Sequence, residues 1–141
     1  VAVVEFALVA VVFFLLLIGI LEWGRVLFTW NTAVEATRAA ARTAAVCDLN
    51  AAAIKARITT LLPQIPADAI DIHYLPAQCS ATSAPLCETV TVSITPGAVV
   101  VDTFIPFVSF SSIEMPSFTT TLTTESLQSS PGGVANPVCS P

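Results

Sequence analysis

Glu5 is the only charged side chain among the first 21 residues, and it stands four residues after the amine of Val1. An unbroken apolar run from Phe6 to Leu21 follows it. Moving a carboxylate into hydrocarbon costs on the order of 2.5–3.5 kcal/mol, so an acid in such a place normally has a function and a partner. The nearest candidate partner is the amino terminus of a neighbouring copy. Pairing with the chain's own terminus is the alternative, because a first-turn acid also complements the helix dipole.

A second pair of opposite charges, Glu22 and Arg25, stands at the end of the apolar run, and Glu35 and Arg38 repeat the same spacing. Residues three apart on a helix lie close enough to form ion pairs. Two interpretations stay open for these pairs, namely surface solubility and pairing at an interface between subunits.

Other side chains with chemical potential are sparse. His73 is the only histidine and falls on a predicted strand, where a lone histidine is normally a surface residue. Asp68 and Asp71 could share a cation, but their surroundings lack a calcium-loop pattern. No catalytic triad or glycine-rich phosphate loop can be assembled. We therefore expect no enzymatic activity, no cofactor and no bound metal.

Four cysteines, Cys47, Cys79, Cys87 and Cys139, follow the apolar run. An even number of cysteines in a loop-rich region indicates two disulfides formed outside the cytoplasm. Three connectivities are possible. We predict Cys79 with Cys87, because a short loop closes at small entropic cost, and Cys47 with Cys139, because the C-terminal tail needs an anchor.

Composition favours a membrane or an assembly: 55% of the 141 residues are hydrophobic and 11% are charged. The Phe6 to Leu21 run is about 24 Å long as a helix, and it spans a hydrocarbon core of about 30 Å once its flanks contribute. A secretory signal peptide is the rival interpretation, but it needs a basic segment before the apolar one. The formal charge of -5 falls beyond Val46. An acidic head repels phosphate backbones, so we expect no nucleic-acid binding.

The absence of proline from Glu5 to Val46, together with an alanine-rich stretch from Ala33 to Ala45, predicts one long helix. Those alanines would permit close approach of neighbouring helices. We therefore divide the chain into a helix at 1–46, first transmembrane and then filament core, and a disulfide-stapled head at 47–141 with a flexible tail.

The head is predicted to be α+β. A second helix, capped by Asp48 or Asn50, ends before Pro63 and would pack on the long helix. Alternating residues predict three strands of an antiparallel sheet at 69–75, 88–95 and 118–124. The stretch 98–115 is apolar but interrupted, a poor strand and a doubtful helix. We expect its apolar residues to be buried, partly against neighbouring subunits: Val101, Phe104, Ile105, Phe107 and Phe110.

Three strings resemble the TadE-like pilins and pseudopilins of tight-adherence (type IVc) pilus systems, which are related to type IV pilins. They are Val4-Glu5-Phe6-Ala7-Leu8-Val9, Gly19-Ile20-Leu21-Glu22-Trp23-Gly24-Arg25 and Ala36-Thr37-Arg38-Ala39-Ala40-Ala41-Arg42. The resemblance implies that a prepilin peptidase cuts a precursor in front of Val1 and that assembly depends on Val1, Glu5, Phe6, Glu22 and Arg25.

The function so implied is that of a structural subunit that polymerises through its N-terminal helix into an extracellular pilus filament used for adhesion. Its partners would be copies of itself, the prepilin peptidase and the membrane-embedded pilus assembly machinery. The chain would reside in the bacterial inner membrane before assembly and on the cell surface afterwards. Two alternatives are a minor pseudopilin that initiates or caps a filament of a shorter major pilin, and an anchored binding protein that never polymerises.

Overall fold

The structure is a computed structural model that describes residues 2–103 and 112–140. A 45-residue helix, α1, leads into a small head. The predicted α+β fold is confirmed, with a second helix and a three-stranded antiparallel sheet. The elements are α1 (Ala2–Val46), α2 (Ala52–Leu61), β1 (Ile70–Leu75), β2 (Thr89–Ile94), β3 (Val100–Asp102), β4 (Ser112–Glu114) and β5 (Phe118–Thr123), with 3-10 turns at Ala67–Ala69, Pro131–Gly133 and Pro137–Cys139.

The main sheet has the strand order β1-β2-β5 and is antiparallel throughout. Strand β2 is central, and its residues alternate between buried and half-buried, as expected when one sheet face packs on a core. Val90, Val92 and Ile94 supply that buried face, with no exposed surface. The opposite face carries mainly hydroxyl groups, and Thr91 Oγ1 lies 2.8 Å from Thr121 Oγ1.

The core lies between this sheet, α2 and the C-terminal part of α1. The small residues of α1 permit close approach of the sheet, and Thr120 on β5 lies within 3.4 Å of Thr37 on α1. At the other end of β5, Phe118 packs edge to face on Trp30 with ring centroids 5.3 Å apart. Helix α1 contributes five alanines with no exposed surface, Ala33, Ala36, Ala40, Ala41 and Ala44.

The predicted second helix is present, but the expected cap is wrong. Ala51 occupies the N-cap position without a side-chain hydrogen bond. Asp48 is engaged elsewhere, because its carboxylate accepts from Ser129 N–H at 3.1 Å, and Asn50 adopts a left-handed conformation. Ile54, Ile58 and Leu62 are buried, whereas Leu61 is half exposed.

The segment from 98 to 115, interpreted as a poor strand, contains a second sheet. Strands β3 and β4 pair antiparallel, and Val101 lies opposite Ile113. Val101 is buried, as predicted, and buried Val99 and Met115 anchor the pair to the core. The other four residues of that prediction, Phe104, Ile105, Phe107 and Phe110, lie outside the described residues.

Two disulfides close the head, joining Cys47 to Cys139 and Cys79 to Cys87. The tail is also held by hydrogen bonds along the end of α1. Glu125 N–H donates to the Ala45 carbonyl at 2.8 Å, and Gln128 N–H donates to the Val46 carbonyl at 2.9 Å. The tail is therefore fixed to the last turn of α1 and to the loop after it.

Candidate assembly surface

Most of the N-terminal part of α1, residues 2–30, projects away from the head and exposes bulky apolar side chains. Its last turn reaches the head, through Trp30. Phe6, Ile20 and Phe28 are 73–74% exposed. Burying a side chain of this size is worth about 1.5–3 kcal/mol, so a surface with many of them is unfavourable in water. We call residues 2–30 the bare segment.

The bare segment belongs to a helix that is long and apolar enough to cross a membrane, by length and composition. The most apolar part of that helix has no buried residues. A core helix of a soluble protein would have most of this surface covered by its own chain. The surroundings of the bare segment must therefore come from lipid or from other molecules.

Glu5 and Phe6 lie in the first turns of α1, and both are exposed. Within residues 2–103 and 112–140, Glu5 makes no ion pair and no hydrogen bond through its side chain. The amine of Val1, the alternative partner within the same chain, lies outside the described residues. The Glu5 side chain is exposed, so a group from another molecule can reach its carboxylate.

Glu22 and Arg25 form the predicted ion pair. Arg25 Nη1 lies 3.0 Å from both carboxylate oxygens of Glu22. The two side chains differ in exposure, 11% for Glu22 and 59% for Arg25. The carboxylate is therefore covered while the guanidinium faces outward. This burial was not predicted, and only the position of Glu22 on the same helix face as buried Val26 hints at it.

These assembly candidates are not brought together into one site. Glu5 and Glu22 are 17 residues apart, about 25 Å along the helix. The other predicted pair, Glu35 and Arg38, is fully at the surface with an O–N distance of 2.8 Å. Each charge pair therefore acts at a different height of α1.

The alanines of α1 have another role than the one predicted. Ala33 to Ala45 were expected to admit neighbouring helices, but their buried members pack against the sheet and α2 of the same chain. The chain's own head packs on these alanines in place of a neighbouring helix, because the head is covalently attached and held to α1 by the Cys47–Cys139 bond.

The remaining chemical candidates include His73 and Tyr74, which are adjacent on β1 and line one depression of about 350 Å³. His73 is exposed on β1, and the described residues contain no cluster of three or more potential metal ligands. Tyr74 is half-buried, and burial raises the pKa of its phenol above the ordinary value of 10.0, partly offset by a hydrogen bond from Asn50 N–H. These groups offer no arrangement for nucleophilic or acid–base catalysis.

Residues 1–42 match the model of a protein family described as TadE-like protein. The matched region covers the bare segment and the Glu22–Arg25 pair, and it ends within α1. The predicted resemblance is thereby confirmed for this region, and it associates the chain with tight-adherence pilus systems. No curated protein and no solved structure shows a significant match.

Proposed function

We propose that this chain is a structural subunit that polymerises through α1 into an extracellular tight-adherence pilus filament used for adhesion. One observation carries the proposal. The bare segment is a rigid extension of a stapled head, and its exposed apolar surface needs a surrounding that the chain itself does not supply. A bundle of such helices would supply it in water.

The same surface would serve twice. In the precursor, an aspartic prepilin peptidase would cut in front of Val1 at the cytoplasmic face of the inner membrane, and the helix would then span the bilayer. During assembly the helix would leave lipid for a bundle of identical helices, since both surroundings are apolar. Residues 1–46 thus act as membrane span and filament core, and residues 47–141 form the outer head.

Glu5 would meet the Val1 amine of a neighbouring copy inside the helix bundle. Two buried charges are tolerable only when they are paired and hydrogen-bonded. Pairing across subunits also makes one axial position more favourable than its alternatives, because any other register leaves a charge unpaired. The alternative contact, Glu5 with its own amine, would give no such selection of register.

A minor pseudopilin that initiates or caps a filament is the second candidate. The observation that favours it is the size of the head, which follows the helix with 95 residues, 47–141. In tight-adherence systems many major pilins consist of little more than the helix. A single-pass binding protein that stays in the membrane is the third candidate.

Electron microscopy of sheared extracellular material separates these functions. Filaments whose main protein is this chain, labelled along their length by antibodies to the head, are the expected result. N-terminal sequencing of the recovered subunit should begin at Val1. Labelling confined to filament tips would favour the minor pseudopilin, and recovery of the chain in membranes alone would contradict polymerisation.

A further inference from the structure

Opposite charges are separated along this chain. All five cations lie between Arg25 and Arg57, and every charged residue after Arg57 is an acid. Within the described residues, both ion pairs are internal to α1, Arg25 with Glu22 and Arg38 with Glu35. In the part of the chain that the structure describes, none of the acids after Arg57 forms an ion pair: Asp68, Asp71, Glu88, Asp102, Glu114 and Glu125.

Four of these acids lie toward the end of the head that faces the bare segment. Asp68 and Asp71 flank the start of β1, where Thr95 N–H donates to the Ala69 carbonyl at 3.0 Å. The chain then continues into the small sheet, and Gly97 N–H donates to the Met115 carbonyl at 3.0 Å beside Glu114. Asp102 follows on the partner strand. We call these four exposed carboxylates the acidic end.

The acidic end lies at the level of Trp30 on α1. Phe118 contacts Trp30, Ile94 pairs with Phe118, and Ile70 pairs with Ile94, so the start of β1 lies at this height. Glu88 and Glu125 belong to the opposite end, since Glu125 N–H donates to the Ala45 carbonyl.

A second surface lies between α1 and α2, on the C-terminal side of Trp30. We call this surface, with Arg42 and Arg57, the basic groove. Its centre is a depression of about 210 Å³ in which, among the described residues, Arg57 is the one charged lining residue, and the other lining residues are Ala39, Ala53, Ala56, Thr60, Leu61 and Ser140. Arg42 is exposed and three residues from Ala39, which makes them neighbours on the helix surface. Lys55 and Arg38 are engaged with the Ala67 carbonyl and Glu35, whereas Arg42 and Arg57 have no acidic partner in the described residues.

We infer that the acidic end of one copy docks on the basic groove of another copy, with Arg42 and Arg57 binding its carboxylates. Arginine suits this role because its planar guanidinium binds a carboxylate through two parallel hydrogen bonds. The inference rests on the proposed function and adds a contact between heads to the contact between helices.

This contact joins two different surfaces, and such a head-to-tail arrangement builds an open assembly unless rotation closes it into a ring. From Trp30 to Arg42 the helix rises about 18 Å, so the docked copies are displaced by roughly that distance along α1. The contact of Glu5 with the Val1 amine of a neighbouring copy needs an axial displacement of only about 6 Å, because four residues separate the two groups along the helix. The two contacts therefore link different pairs of neighbours.

Charge reversal tests the docking. The variants Arg42→Glu/Arg57→Glu and Asp71→Lys/Glu114→Lys should each lower filament recovery on the order of tenfold or more, because like charges then face each other. The matched control is Glu88→Lys/Glu125→Lys, the same change at the opposite end, which should assemble. A chain with all four groove and acidic-end changes should recover filaments, since its charges are complementary again. No recovery in that chain, or an equal loss in the control, overturns the inference.

Photo-cross-linking identifies the occupant directly. With p-benzoylphenylalanine replacing Thr60, an exposed residue of the groove wall, filaments should yield a dimer cross-linked to residues 68–71 or 112–114. Cross-links to lipid, to another protein or to other residues contradict the docking, and the exposed Thr123 of β5 is the control position. Filaments of the unsubstituted chain, prepared in parallel, test the proposed function separately. Their absence overturns that function, whereas filaments without this cross-link overturn the docking alone.

Discussion

The two halves of α1 form one continuous helix but bury their surfaces in opposite ways. Val, Leu, Ile and Phe dominate the bare segment and are largely exposed, whereas small Ala and Thr residues dominate the C-terminal half and are buried. Small side chains allow a sheet to approach closely, while large ones gain most when a surrounding is supplied from outside. Helical structure alone therefore says little about burial. The sizes of the side chains distinguish the C-terminal half, which packs on the head, from the bare segment, which is exposed to other molecules.

The largest effect is expected at the start of the bare segment. Glu5→Ala should leave the subunit processed and inserted in the membrane but unable to assemble, because a neighbour's amine would enter the apolar bundle unpaired. Removing one partner of a buried pair costs about 3–5 kcal/mol. The measurement is filament yield in sheared fractions relative to membrane-bound subunit.

Glu22→Ala is the control for that experiment. It leaves behind an arginine that is 59% exposed and can be hydrated, so we expect a cost of about 0–1 kcal/mol. Filaments as abundant from Glu5→Ala as from the unsubstituted chain would reject the pairing. If the two variants ranked in the reverse order, the register would be set by Glu22 and Arg25 instead.

In the head that packs on the buried half of α1, the bond from Cys47 to Cys139 should contribute most to the free energy of unfolding. It closes a separation of 92 residues, against 8 for Cys79 and Cys87. Loop entropy assigns about 4.6 kcal/mol to the long closure and about 2.5 kcal/mol to the short one. Cys47→Ala/Cys139→Ala should therefore lower the denaturation midpoint more than Cys79→Ala/Cys87→Ala. Non-reduced peptide mapping should recover these two pairs, and a Cys47 to Cys79 linkage would contradict this disulfide assignment.

Enlarging one alanine in each half compares the two environments directly. Ala40 has no exposed surface, so Ala40→Leu should overpack the core and destabilise the head by about 1–3 kcal/mol. Ala7 is exposed in the bare segment, and Ala7→Leu should leave head stability unchanged. Thermal unfolding of the full chain in detergent provides the readout. Equal melting temperatures for the two variants would mean that the C-terminal half is not packed against the head.

The Glu22–Arg25 pair combines a covered carboxylate with an exposed guanidinium. Arg25→Ala leaves a carboxylate that is 89% covered without its cation, which should cost about 1–3 kcal/mol. Because Glu22→Ala leaves only an exposed guanidinium, Arg25→Ala should be the more damaging variant for helix stability in detergent. Two equal effects would indicate that Glu22 is hydrated in solution.

The smallest effect concerns Tyr74. Burial raises its pKa in the folded head, so the unfolded chain loses its phenolic proton first as pH rises. The stabilisation is complete below pH 10.0 and declines as pH rises from there through the raised pKa of the folded state. Tyr74→Phe should flatten stability between about pH 9 and 11 relative to the unsubstituted chain, as measured by denaturant titration. An identical pH profile in both chains would show that the phenol is hydrated.

Much of this fold could be predicted because its signals are local. The long helix follows from the absence of proline, and the three strands of the main sheet lie within one residue of their predicted bounds, since their alternation is regular. The cap of α2 could not be predicted, because Asp48 pairs with Ser129, which is 81 residues away. The pairing of β3 with β4 depends on contacts of Val99 and Met115 with the core, for which the interrupted pattern gives no sign.

The assembly surface was only partly predictable for the same reason. Glu5 is conspicuous because it is a lone charge in an apolar run, and the Glu22–Arg25 pair follows from helical spacing. The basic groove between α1 and α2 arises from tertiary contacts. Alanines are compatible with any close neighbour, so their composition could not tell a partner helix from the chain's own sheet.

An electron cryomicroscopy map of the extracellular filament tests the central claim most directly, namely that copies of this chain cover one another's bare segments. The expected map has a core of α-helices formed by residues 2–30 of this chain, with each Glu5 carboxylate within hydrogen-bonding distance of a neighbour's amine. The heads should lie outside, and their own α1 halves should be buried as described. A core built from another protein's helices, or bare segments that face solvent, would contradict the claim.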